Sequence, residues 1–97
     1  WAARVSGPVV PIEELAIEVR GIAPDVAEQL GVSAGLQVVS AGRGAFFRTG
    51  DVILEFSGRP TQRPAELQAL ASEAARRRSL DAVVYRGGTA FRIARRW

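Results

Sequence analysis

The residues of this chain best placed by type and spacing to do chemistry are two acidic neighbours, Glu13-Glu14, and two arginine groups, Arg76-Arg77-Arg78 and Arg92, Arg95 and Arg96. Carboxylates can serve as general acids, bases or metal ligands, and clustered guanidiniums can grip phosphates in bidentate fashion. Neither chemistry is developed further along the chain. His and Cys are both absent, which excludes an imidazole-based triad, a Cys–His pair, an ordinary zinc site and disulfides. The ten acidic residues show no spacing that would pair two carboxylates in one site. No catalytic residue, metal ligand or cofactor is therefore assigned. The arginines read as a solvated helix end and the outer face of a last strand. No aromatic platform is interleaved with them, and the acids dilute their field, so a small basic nucleic-acid binder is the third reading of function.

The elements that would position these groups follow from periodicity and turn chemistry. A chain of 97 residues, 47% hydrophobic and 24% charged, has the composition of one folded domain. No apolar run approaches the roughly 18 residues of a transmembrane helix, and no basic-then-apolar secretory leader is visible. Residues 1–12, with Gly7, Pro8 and Pro11, read as an irregular N-terminal arm or linker. Leu15, Ile17 and Val19 then alternate with Ala16, Glu18 and Arg20, the pattern of a strand with one buried face. Pro24 starts a short helix that Gly31 ends. Leu36 to Ser40 is a second strand, followed by a Gly-rich loop in which one of Phe46 and Phe47 is expected to be buried and the other exposed. In "RTGDVILEFSGRP", Gly50 and Asp51 turn the chain into a strand, Val52 to Phe56, that Ser57-Gly58-Arg59-Pro60 closes. Pro64 opens the longest helix, with Leu67, Leu70 and Ala74 on its core face and Pro64, Gln68 and Ala71 on a neighbouring strip. Two strands joined by Gly87-Gly88 end the chain. This order is that of an α+β domain, a small barrel or sandwich.

Five stretches in this order resemble the PDZ domains of bacterial HtrA/Deg-type serine proteases: "LAIEV", "APDVAEQLGV", "GLQVVSA", "GDVILEFSGRP" and "RPAELQALASEA", with the hairpin "AVVYRGGTAFRIARR" behind them. The most specific is Gly-Asp-Val-Ile-Leu followed by Ser-Gly-Arg-Pro. The resemblance spans residues 13–96 and implies a PDZ-like domain over residues 13–97, a small β-barrel or sandwich of about five strands with two helices. It also implies a function. PDZ domains bind protein C-termini or extended segments by strand addition. Here the edge would be residues 15–19, the facing wall the helix from Pro64, and the carboxylate loop residues 13–17. The peptide-binding residues so implied are Glu14, Leu15, Ala16, Ile17, Glu18, Val19, Pro64, Gln68 and Ala71. The domain itself would not be catalytic. It would recruit or regulate substrates for a trypsin-like serine protease, in the bacterial periplasm or at its membrane, with a protease domain or other subunits of the same parent as further partners. An alternative is a PDZ-fold assembly or regulatory domain with a weak or closed groove. The acidic loop, Ala16 where the family has Gly, and the short segment between Ser40 and Gly50 favour that alternative.

Overall fold

Alternating apolar residues and positive-φ turns build one antiparallel sheet. The computed structural model describes residues 6–31 and 35–96; residues 1–5 of the expected arm lie outside them. The strands are β1 (Ser6–Ile12), β2 (Ile17–Gly21), β3 (Leu36–Ala41), β4 (Val52–Phe56), β5 (Arg59–Pro60), β6 (Ser79–Arg86) and β7 (Thr89–Arg96). Their order is β1-β2-β3-β4-β6-β7, with β5 paired to β4 alone. Two helices, α1 (Pro24–Leu30) and α2 (Pro64–Arg77), and a 3₁₀ turn at Glu13–Leu15 complete the domain. The α+β class is as expected, but among the described residues there are seven strands, and their sheet stays open between β1 and β7.

The expected irregular arm differs most. From residue 6 onward it is a strand, hairpinned onto β2 with Val10 opposite Val19, Pro11 opposite Glu18 and Ile12 opposite Ile17. The anticipated domain start at residue 13 falls inside that hairpin. The expected strand over residues 15–19 begins instead at Ile17, because residues 13–15 coil into the 3₁₀ turn and Ala16 takes a left-handed conformation, φ 55°.

The Gly-Asp turn before β4 has a specific electrostatic role. Asp51 is 1% exposed. Its carboxylate accepts Arg86 Nε–H and Nη2–H at 2.7 and 2.6 Å and the Arg48 backbone N–H at 2.9 Å. The turn is also pinned to β3, since the Gly50 N–H donates to the Val38 carbonyl and the Val38 N–H to the Asp51 carbonyl, both at 2.8 Å. Burial by itself pushes the Asp51 carboxyl up, but the Arg86 hydrogen bonds, the Arg48 N–H and the two arginine charges outweigh it, and the group titrates below its ordinary range. Arg86 in turn lies over the Phe91 ring, 4.9 Å from its centroid. One buried carboxylate thus joins the β3–β4 connection to β6 and β7.

Helix α2 starts at Pro64 without a side-chain cap from Arg63, whose guanidinium has no acceptor. Glu66 compensates in part by accepting the Arg63 N–H at 3.0 Å. Leu67, Ala71 and Ala74 of α2 are buried and Leu70 is half-buried against the core. Ala71 is thus fully buried, in one cluster with Ile12: the buried face of α2 takes in Ala71 beside Leu67 and Ala74 and leaves Leu70 at its margin. Phe47 is buried and Phe46 half-buried, so the shortened loop after β3 still fills the core with an aromatic ring.

Two outcomes follow. Asp51→Asn leaves the Arg86 fork facing a neutral amide, and stability measured by chemical denaturation is expected to fall by about 1.5–3 kcal/mol, the range for hydrogen bonds to charged groups. Because the folded-state pKa is depressed, this contribution is complete above the unfolded-state value of about 3.9 and is lost as pH falls through the lower folded-state value. The variant is accordingly less acid-sensitive than the parent. Ala71→Leu overpacks the core beneath α2 and is expected to cost about 1–3 kcal/mol; an unchanged denaturation midpoint would place residue 71 on the surface.

Candidate functional site

Strand β2 has two edges, and β3 pairs with one of them, Ile17 opposite Ala41 and Val19 opposite Val38. The other edge looks toward α2. In a sheet that edge carries unpaired N–H and C=O groups, a template for any extended chain. Here β1 lies on it, between β2 and α2. On the α2 side, Gln68 Nε2–H donates to the Pro11 carbonyl at 3.1 Å. The N–H and C=O of one strand residue point the same way, so position 11 faces α2 and its missing N–H removes no bond from the β1–β2 ladder. Val10 and Ile12 present their backbone groups to β2 instead.

Side chains follow the same alternation. Ile12 is 0% exposed and sits in the core cluster with Leu15, Ile17, Leu67 and Ala71; Val10 is half-buried against that cluster, and Pro11 is exposed. Burying a side chain of this size contributes about 1.5–3 kcal/mol. The cleft expected between β2 and α2 thus exists and is filled by an extended segment of the chain itself.

The end of the groove is the hairpin turn. The Ala16 N–H donates to the Glu13 carbonyl at 3.1 Å, and the Ala16 carbonyl accepts the Gly42 N–H at 2.7 Å. Glu14 reaches across to α2, where its carboxylate accepts Ser72 Oγ–H at 2.7 Å. That hydrogen bond, followed by one to its own backbone, holds the Glu14 carboxyl below its ordinary value. Beside it is an open hollow of about 320 Å³ lined by Pro11, Glu13, Glu14 and Gln68.

The sequence-derived site residues are therefore brought together only in part. Gln68 donates to Pro11 of β1, and Ile17 and Val19 lie on the paired edge with buried side chains. Leu15 is buried, and Pro64 is half-buried at the start of α2. Ala71 lies under the groove, in the core. Glu18 is turned to β3, where it accepts Ser40 Oγ–H at 2.8 Å. Sequence reasoning missed Val10, Pro11, Ile12 and Ser72. The signal for the first three was a short apolar run, residues 9–12, obscured by two prolines and a glycine.

The arginine groups are partly neutralised. Arg76 and Arg77 pair with Glu73, and Arg92 forks onto Asp81. A smaller hollow of about 220 Å³ beside β4 and β6 is lined by the paired Asp81 and Arg92 with Glu55, Gly58, Ala82 and Val83.

No protein-family model and no curated protein matches the chain. Among solved structures, it is similar to the HtrA3 PDZ domain bound to a phage-derived ligand, FGRWV. The two share 26% identity and superpose with a TM-score of 0.64, over 84% of this chain and 81% of the other. In fold, this chain is a PDZ-like domain that resembles those of the HtrA proteins.

Proposed function

We propose that this domain is a peptide-recognition module that takes extended polypeptide between β2 and α2 by strand addition, and that its own β1 holds that groove in the resting state. The carrying observation is the seat of β1: an antiparallel ladder to β2, Ile12 buried beneath, and the Pro11 carbonyl held by Gln68. These are the contacts that strand addition uses, main-chain bonds for affinity and alternate side chains for specificity. The likeness to a PDZ domain carrying a peptide ligand supports the same reading. Recruitment or regulation of substrates for an HtrA-like serine protease, in the bacterial periplasm or at its membrane, is the wider role that this resemblance supports.

Tethering makes the resident segment a strong competitor. A short connection, here residues 13–16, gives an effective concentration of about millimolar. A free peptide with an intrinsic Kd of about 1 μM, a natural value once ordering costs are counted, would then bind the resting domain about a thousandfold more weakly.

The full burial of Ile12 favours a second reading, a permanently closed groove serving assembly. One experiment separates the two. Isotope-labelled protein is titrated with an acetylated peptide copying residues 7–12, Gly-Pro-Val-Val-Pro-Ile, against the parent and Val10→Ser. Val10 is half-buried, and its replacement removes about 1–2 kcal/mol of apolar burial from the resident strand. The expected outcome is weak, millimolar-range shifts along β2 and around Gln68 in the parent and roughly tenfold tighter binding to the variant. Flat spectra for both proteins would leave the closed groove as the better reading.

A further inference from the structure

The groove end opposes a feature that strand-addition sites often exploit, the free carboxylate of a ligand's last residue. Where that carboxylate would lie, the resident segment does not end; it continues from Ile12 into the 3₁₀ turn Glu13–Leu15. The Ala16 N–H that faces this end is engaged by the Glu13 carbonyl at 3.1 Å. Ala16 carries a Cβ in a left-handed conformation, φ 55°, where glycine would leave the backbone freer to rearrange around an anion. Glu14, fixed to Ser72 on α2 at 2.7 Å, spans the groove mouth with a carboxylate of its own. The adjoining hollow is lined by Pro11, Glu13, Glu14 and Gln68, two acids and no base. A terminal carboxylate placed there meets like charge on two sides.

The rest of the groove specifies what it does accept. Position 11 gives α2 only a carbonyl, so proline fits it. Position 12 enters a fully buried site of Ile size, and position 10 is half-buried beside it.

We infer, on the basis of the peptide-recognition reading above, that the groove is specific for an internal segment of the pattern apolar-proline-branched aliphatic, and that it does not read a terminal carboxylate. The resident residues Val10-Pro11-Ile12, running on into the chain, are the template of that ligand class.

The test uses three acetylated peptides, each copying residues 7–12. One ends in the free acid, one in the amide, and one continues through Gly-Gly to an amide. Each is titrated into the full chain and into Val10→Ser. β1 competes equally against all three, so the ratio of their affinities does not depend on how firmly β1 is held. The amide and the extended peptide are expected to bind at least threefold more tightly than the free acid, with a gap that widens at low salt as screening falls. Glu14→Gln is expected to raise the free acid's affinity relative to the amide's several-fold. A free acid that binds tenfold tighter than both neutral peptides overturns the inference and leaves peptide recognition standing. Silence from all three peptides in both proteins overturns the two together.

Discussion

The pairing of β2 is the constraint on which the remainder of the molecule depends. A strand in the middle of a sheet needs hydrogen-bond partners on both edges or water in their place. β2 has β3 on one side and α2 several ångströms beyond the other, and a helix offers no ladder. The gap must hold water, a guest or part of the chain. It holds β1, and with it Ile12, whose 0% exposure makes it part of the core as well as an occupant of the groove. The two ends of the sheet are treated differently. The outer edge of β7 is left open and carries Arg92, Arg95 and Arg96 in its last turns of sequence, charges that discourage edge-to-edge association. The β2 edge is covered by chain.

β1 carries features that weaken its hold relative to the central strand β4. It contains Pro8 and Pro11 and has a register irregularity between Ser6 and Val10. It rests on β2 and α2, whereas β4 is clasped between β3 and β6 and locked to β6 through Asp51 and Arg86. Elements with fewer partners open at lower free energy than the body of a domain. Opening β1 would uncover Ile12 and Val10 together with the faces of Ile17, Leu67 and Ala71 that share their cluster, whereas the Asp51–Arg86 pair involves no residue of β1.

Most of the architecture was legible in local chemistry. Pro64, Glu66 and the arginines of the last turn bracket α2, Gly87-Gly88 makes the β6–β7 turn, and Val52 to Phe56 reads as a buried strand. Each depends on neighbours within a few residues. What was not legible depends on distance. β1 contains residues that break strands when considered alone, and only the geometry of α2, with Gln68 reaching a proline carbonyl 57 positions away in sequence, makes Pro11 harmless. Ala71 reads as a groove residue by helical periodicity; its complete burial in one cluster with Ile12 depends on how α2 packs against β1 and β2, which local sequence does not set. The Gly-Asp turn was recognisable as a turn; that Asp51 is also the buried anchor of Arg86 required the fold.

The groove end and the shortened loop after β3 act as one structural unit. Ala16 is held in its left-handed conformation from both sides, by the Glu13 carbonyl on its N–H and by the Gly42 N–H on its carbonyl. A side chain at Gly42 would place its Cβ 3.2 Å from the Ala16 carbonyl oxygen, closer than most such contacts, so the Ala16 carbonyl would have to give by a few tenths of an ångström. Phe47, a few residues on, fixes the other end of the loop by burying its ring in the same core cluster that receives Ile12. The conformation of Ala16 is therefore set jointly by the hairpin that brings β1 into the groove and by the loop that follows β3. A change in that loop reaches the groove by two routes, the backbone hydrogen bond from Gly42 to Ala16 and the packing of Phe47 in the cluster that holds Ile12.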